Sequence, residues 1–140
     1  MLNVKLVCVG SLKEAYLRDA VKEYEKRLGA YCKLVTCELK DDRGLTEAVS
    51  GKGYKIALCV EGRQHSSEEL AAMIERISLG HGDLTLVIGG SDGLPEQVKA
   101  LCDYRLSFSR MTFPHQLMRV ILLEQIYRAF NINGNGKYHK

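Results

Sequence analysis

Short apolar runs alternate along the chain with longer stretches in which apolar residues return every three or four positions. Residues 4–9 form a valine-rich run closed by Gly10, and Ser11 stands where it caps a helix reaching residue 28. Within that helix Ala15, Leu17, Ala20, Val21, Tyr24 and Leu28 recur at helical spacing, with Arg18, Lys22, Glu23 and Lys26 turned outward. One face is therefore expected to pack on a sheet. Residues 34–39 and 55–60 read as a second and third strand, joined by the polar, glycine-bearing connection 40–53, in which residues 46–49 mark one helical turn. Ser66 followed three positions later by Glu69 is a capping box, and Leu70, Met73, Ile74 and Ile77 carry the apolar stripe of a second helix up to Gly80.

Residues 84–88 are a continuous apolar run, the pattern of a strand covered on both faces. They lead into Gly89-Gly90-Ser91-Asp92-Gly93-Leu94-Pro95, then a helical stretch 96–101 and a short fifth strand 106–108. The last helix, 116–130, is apolar around more than one face and must be buried on several sides. In a chain of 140 residues a second copy is the natural cover, so a homodimer is expected. Strands alternating with helices predict one α/β domain over residues 1–140, a mostly parallel sheet flanked by helices, with ligands held at the carboxyl ends of strands. The loops after residues 88 and 108 are the places where chemistry is expected.

Composition agrees with that picture and narrows it. Apolar residues make up 46% and charged residues 26%, the balance of a soluble globular domain. Lys5 interrupts the first apolar run, so it lacks a signal peptide's core, and no stretch approaches the roughly 18 apolar residues of a membrane span; a cytoplasmic protein with no membrane partner is expected. The five cysteines include no C-x-x-C pair and read as reduced, packed thiols, with no metal site. The net charge of +3 is unevenly spread: residues 104–140 carry Arg105, Arg110, Arg119, Arg128, Lys137 and Lys140 against Glu124 alone, which makes that third +5 and the remainder −2. A basic end of this kind suits a polyanionic partner, and a solvated face accounts for it equally well.

The glycines at 89, 90 and 93 let backbone approach a flat ligand closely, although a tight turn without a ligand explains them as well. They form neither G-x-G-x-x-G nor a phosphate-binding P-loop. The second loop, Ser109-Arg110-Met111-Thr112-Phe113-Pro114-His115, gathers cationic, hydroxyl, aromatic and imidazole groups immediately before the last helix, with Pro114 where helices begin. In that helix Glu124 and Arg128 are spaced to pair, and Arg119 has no partner on its own helix.

Taken together, Met111-Thr112-Phe113-Pro114-His115-Gln116, Arg119, Glu124-Gln125, Tyr127-Arg128-Ala129 and the terminal Tyr138-His139-Lys140 resemble the signature of the bacterial RlmH family. The resemblance continues upstream through Val87-Ile88-Gly89-Gly90-Ser91-Asp92-Gly93-Leu94, Val9-Gly10-Ser11-Leu12-Lys13-Glu14 and Glu23-Tyr24-Glu25-Lys26-Arg27-Leu28, so it covers nearly the whole chain in order. It implies a SPOUT-class methyltransferase acting on N3 of a pseudouridine in 23S ribosomal RNA, within the ribosome. It also implies a C-terminal trefoil knot, a homodimer, and S-adenosylmethionine held by main-chain groups of three loops. Carried over by position, the cofactor residues are Leu58, Gly89, Phe108, Ser109, Arg110, Met111, Thr112 and Phe113. The sequence departs from the family in two places: the connection 40–53 is short, and Cys59 stands where an acidic residue is common.

Methyl transfer from a sulfonium to a ring nitrogen is an in-line displacement, so positioning supplies most of the catalysis. The proton on N3 must leave, and His139 and His115 are the candidate bases, although His115 serves equally as an organiser of the helix start. Arg119, with Tyr138, completes the catalytic candidates; Arg110, Arg119, Arg128 and Lys137 are the candidate RNA contacts. In a dimer, Tyr138 and His139 are expected beside the other copy's cofactor. The rival from another class is a non-catalytic RNA-binding module of the same fold; a flavodoxin-like nucleotide binder leaves the basic tail unexplained.

Overall fold

A computed structural model describes residues 1–139; Lys140, the last of the basic residues counted above, lies outside the described residues. Five strands, β1 (Leu2–Val9), β2 (Cys32–Leu39), β3 (Tyr54–Gln64), β4 (Asp83–Ile88) and β5 (Tyr104–Ser107), form one sheet in the order β2-β1-β4-β3-β5. Every pairing is parallel. Helices α1 (Ala15–Leu28), α2 (Leu45–Ala48), α3 (Ser67–Gly80), α4 (Glu96–Lys99) and α5 (His115–Asn133) connect or follow the strands. The predicted α/β class and parallel sheet are thus observed.

Side chains alternate across a pleated strand, and both faces of this sheet are apolar because both are covered. Leu6, Ile56, Leu86 and Leu106 point to the face carried by α1, α3 and α5. Their neighbours Val7, Ala57 and Val87 meet Leu45, Val49, Leu94 and Val98 on the other. The short connection between β2 and β3 is therefore not slack: Leu45 is fully buried and plugs that second face. Helix α5 lies between α1 and α3 and buries Leu122, Leu123, Ile126 and Ala129, whereas Leu117 stays exposed and Val120, Ile121, Tyr127 and Phe130 are half-buried.

Three boundaries differ from expectation for identifiable reasons. Helix α1 begins at Ala15, with Glu14 at its cap and no capping side chain, so Ser11 caps nothing. Gly10 turns with φ +91° and residues 10–13 fold into a loop whose carbonyls, at Leu12 and Lys13, accept from the Arg18 guanidinium at 3.1 and 2.9 Å. Helix α5 begins at His115, one residue earlier than expected, and runs on to Asn133, with Pro114 as its extended cap. Strand β3 runs four residues past residue 60 because its register breaks: Leu58 and Arg63 both face Leu106, and residues 59–62 loop out between them. Gly62 is required at this break, since a Cβ there would lie 2.7 Å from the Leu106 carbonyl carbon. The capping box at Ser66 and Glu69 forms as predicted.

Candidate active site

The carboxyl ends of β3, β4 and β5 open into one cavity of about 780 Å³, within the range of small-molecule sites. Its floor is Leu58, Ile88, Leu94, Leu106 and Met118, and its walls are the loops 89–93 and 108–113 together with the looped-out residues 59–61. Of the residues carried over for a cofactor, Leu58, Gly89, Phe108, Ser109, Met111, Thr112 and Phe113 line it; Arg110 does not, and is exposed.

Each wall holds its shape through backbone and short side chains. In the first, Gly93 adopts φ +78° and its N–H donates to the Gly90 carbonyl at 3.0 Å. Gly89 is the tightest point: a Cβ there would sit 2.5 Å from the Gly93 carbonyl carbon and 2.7 Å from the Leu94 nitrogen. The glycine therefore permits the loop to close on itself, which is the tight-turn reading among the two that the sequence leaves open. In the second wall, the Ser107 hydroxyl donates to the Ser109 carbonyl at 2.9 Å, and the Ser109 hydroxyl oxygen accepts from the Met111 N–H at 3.0 Å. Two serines thus curl the segment that displays Met111, Thr112 and Phe113.

The charged rim was not foreseen. Lys99 on α4 is paired with Glu61 and, at 3.4 Å, with Glu96; both Glu61 and Lys99 line the cavity. The ammonium holds the Glu61 carboxyl below its ordinary value. Glu61 sits two residues past Cys59, where an acidic residue is common in the family, so the looped-out segment supplies a carboxylate from a shifted position. Burial raises the Cys59 thiol pKa.

At the cavity mouth, His115 is half-buried against Gly10, with its Nε2 3.6 Å from where a Gly10 Cβ would be. The loop 10–13 is seated on α5 there. Arg119, 3% exposed, donates to the Gly10 carbonyl at 3.0 Å and pairs with Glu38 at 2.5 Å, while Gln116 accepts from the Lys13 N–H at 2.9 Å. Two motifs a hundred residues apart are the two sides of one contact. Arg119 has no free donor surface for phosphate in this arrangement; it clamps the loop beside the cavity.

Tyr138 and His139 form a second cluster, away from the cavity of the same chain. Glu124 is its hub: it accepts from Arg128 at 2.6 Å and from the Tyr138 hydroxyl at 2.9 Å. Burial and the Tyr24 and Glu124 contacts hold the Tyr138 hydroxyl far above the ordinary phenol range. His139 accepts at Nδ1 from Arg128 at 2.9 Å, which places its proton on Nε2, facing Glu68 at 2.6 Å. Along α5, Glu124 is ~14 Å from His115 at 1.5 Å per residue. Of the basic residues counted toward a polyanionic partner, Arg105, Arg119 and Arg128 are each paired with a carboxylate, and Arg110 and Lys137 are exposed.

A parallel sheet with its cavity at the carboxyl ends of three adjacent strands, walled by main chain, defines an α/β domain with an opening of small-molecule size where such folds place their ligands. A family model described as predicted SPOUT methyltransferase matches residues 2–139, and the chain belongs to the SPOUT methyltransferase family. Its sequence relatives include the proteins named ribosomal RNA large subunit methyltransferase H of Bifidobacterium adolescentis and of Clostridium novyi, each 48% identical over 159 residues, covering 99% of this chain and all of the relative. The resemblance seen in the motifs is thereby borne out. These alignments are longer than the chain's 140 residues, so the chain carries an internal deletion relative to them. Among solved structures, a methylase family protein of Haemophilus influenzae matches 99% of this chain and 71% of its own at a TM-score of 0.66 and 14% identity. A methyltransferase of Legionella pneumophila, solved with the bound cofactor SAM, matches 91% of this chain and 66% of its own at 0.53 and 13%. These two share the fold.

Proposed function

We propose that this chain is an S-adenosylmethionine-dependent methyltransferase of large-subunit ribosomal RNA that modifies N3 of a pseudouridine, working in the cytoplasm on the ribosome as a knotted homodimer. The observation that carries the reading is the cavity of about 780 Å³ at the ends of β3, β4 and β5, in a chain whose full-length relatives are named as ribosomal RNA methyltransferases. Its chemistry fits the cofactor. The apolar floor of Leu58, Ile88 and Leu106 suits a flat purine, the curled main chain of 89–93 and 108–113 offers hydrogen bonds along its edge, and Glu61 with Lys99 offers a carboxylate and an ammonium for a zwitterionic end. The path of the chain from edge strand β5 to a central position between α1 and α3 supports the knot, and the half-buried Val120, Tyr127 and Phe130 of α5 support the dimer.

When bound, the cofactor supplies a methyl group on a positively charged sulfur, which passes in line to the ring nitrogen. The residues of this chain hold and orient. Leu58, Leu106 and Phe108 exclude water, which favours the meeting of a sulfonium with an N3 anion. His115, at the mouth, is the base candidate with an unoccupied face; both ring nitrogens of His139 are engaged by Arg128 and Glu68. Arg119 positions His115 by fixing the loop at Gly10. In the dimer, Tyr138 and His139 of one copy lie beside the cavity of the other, and Arg110, Arg128 and Lys137 face RNA.

Calorimetric titration with S-adenosylmethionine tests the first half: heat of binding is expected, and its absence would leave only a non-catalytic RNA-binding module. Incubation with ribosomes from a strain lacking the enzyme, followed by mass spectrometry of the nucleosides, tests the second. A gain of one methyl on a pseudouridine is expected; a methyl on any other nucleoside overturns the N3 assignment.

A further inference from the structure

A second concavity, of about 440 Å³, lies outside the cofactor site, where the sheet edge meets α3. Its walls are Tyr54 and Tyr104 from the strands, Arg63 and His65 from the end of β3, Arg76 on α3 and His81 just after it, over a floor of buried Met73 and Ile77. No carboxylate lines it. Two acids of the adjoining segments are committed elsewhere: Glu69 to the capping box with Ser66, and Asp103 to the Lys55 N–H at 2.8 Å. Among the described residues, neither Arg63 nor Arg76 has an ion-pair or hydrogen-bond partner, whereas Arg105, Arg119 and Arg128 of the basic end all do.

The aromatic faces are fixed. Tyr104 is held by a hydrogen bond of 2.5 Å between its hydroxyl and His65 Nε2, and Tyr54 packs against the His81 ring at 5.5 Å between centroids. Immobilised aromatic planes beside unpaired guanidinium groups are what single-stranded nucleic acid recognition uses: bases stack on the rings and phosphates meet the cations. Nothing in the fold requires two unpaired arginines at an aromatic-walled hollow. The spacing suits a shared ligand, because Tyr104 in this groove and Phe108 in the cofactor cavity are four residues apart on the same edge, ~13 Å at strand rise.

We infer that this groove is a second RNA contact, in which Arg63 and Arg76 take backbone phosphates and Tyr104 stacks an unpaired base of the segment flanking the target nucleotide. The inference rests on the reading that the substrate is RNA. It moves the main cationic contact from the basic end of the chain, where sequence counting puts it, to Arg63 and Arg76 in the part whose net charge is negative.

The test compares unmodified protein, the double variant R63A/R76A, the variants Y104L and Y104F, and a charge-matched control, K22A/K33A, on exposed positions of α1 and β2. Affinity for bacterial ribosomes is measured at several salt concentrations, with circular dichroism and calorimetric S-adenosylmethionine titration on each variant. For R63A/R76A, unchanged cofactor affinity is expected with ribosome binding about tenfold weaker and a log–log salt slope shallower by about 1.4, the loss of two phosphate contacts to single-stranded RNA. Y104L is expected to weaken ribosome binding by about tenfold and Y104F far less, because phenylalanine keeps the stacking face. Ribosome affinity and salt slope for R63A/R76A equal to those of K22A/K33A, with fold and cofactor binding intact, overturn the groove. If unmodified protein binds no ribosomes at any salt, the RNA reading itself falls and the groove with it. Should Y104L fail to fold, the arginine variant alone decides, since both guanidinium groups are exposed.

Discussion

The cofactor cavity and the cluster around Glu124 are built by opposite means. The cavity takes its shape from main chain, glycines and two serines, and its charges stand at the rim. The Glu124 cluster has little main-chain contribution: long side chains from α1, α3, α5 and the tail meet through ion pairs and aromatic contacts, as in Arg128 over the Tyr138 ring at 4.8 Å and Tyr127 edge-to-face with Tyr138 at 4.8 Å. A site made of backbone is rigid and intolerant of added atoms, whereas one made of side chains can trade partners. That difference is what the proposed function requires of them, one region holding a cofactor and the other rearranging against a second copy.

The largest effect is expected from Gly89→Val, which sharpens the first half of that contrast. The new Cβ meets Gly93 and Leu94 backbone that cannot move without opening the loop. A loss of about 3 kcal/mol or more in urea unfolding, accompanied by loss of S-adenosylmethionine binding, is expected. Full stability with cofactor affinity alone lost would show that Gly89 serves the ligand and that the loop tolerates the added atoms.

Next in size is Arg119→Ala, at the junction of the two regions. Its guanidinium is 3% exposed and joins Glu38 to the Gly10 carbonyl, so removal leaves a half-buried carbonyl without that donor and a half-exposed carboxylate unpaired. A loss of about 2–3 kcal/mol is expected, below the full figure for a deeply buried pair because Glu38 keeps its access to water. Cofactor affinity is expected to fall with it, and ribosome affinity at saturating cofactor is not. A selective loss of ribosome binding would return Arg119 to the RNA contacts.

What was legible from sequence follows the same division. Strand and helix order could be read because β1 and β4 are short apolar runs and α3 carries strong helical periodicity, and the cavity loops because glycine and proline punctuate them. The motif resemblance named Gln116 and Arg119 without showing what they hold, since their partners Lys13 and Glu38 lie far away in sequence. The break at residues 59–62 was illegible: it depends on the tertiary approach of β5 to Gly62, and with it went Glu61 and Lys99 at the rim. Counting charges pointed to residues 104–140 because a count cannot see that Arg105, Arg119 and Arg128 each end on a carboxylate.

Alkaline pH separates the regions with a smaller effect. Burial pushes the thiols of Cys8 and Cys32, under the sheet, up from 9.0 to about 11, whereas in the unfolded chain they ionise near the ordinary value. Their contribution to stability is therefore complete below pH 9 and is lost as pH rises to about 11, on the order of 2 kcal/mol per thiol. Burial and the Tyr24 and Glu124 contacts raise the Tyr138 hydroxyl as well, so by the same linkage it adds to the decline above pH 10, and the thiols alone carry the loss that begins near pH 9. Urea unfolding from pH 8 to 11 is expected to show the decline in unmodified protein and a flatter profile in C8A/C32A. Identical slopes would place the alkaline loss elsewhere.

The smallest effect, and the one that decides how the tail is used, is that of Tyr138→Phe. The phenol donates to Glu124 at 2.9 Å and meets the Tyr24 hydroxyl at 3.3 Å, at a half-buried site. A hydrogen bond to a carboxylate that retains two contacts from Arg128 is worth about 1 kcal/mol here, and the ring packing survives the change. If the tail stays folded on its own chain in the working protein, the variant loses that amount at every protein concentration and binds S-adenosylmethionine as before. If the tail leaves Glu124 to complete the cavity of a second copy, phenylalanine weakens its hold on Glu124 and favours release. Stability measured at low protein concentration then falls, while cofactor affinity at high concentration is preserved or improved. A loss of cofactor affinity that grows with protein concentration, with stability unchanged, would instead mean that the hydroxyl itself touches the other copy's ligand.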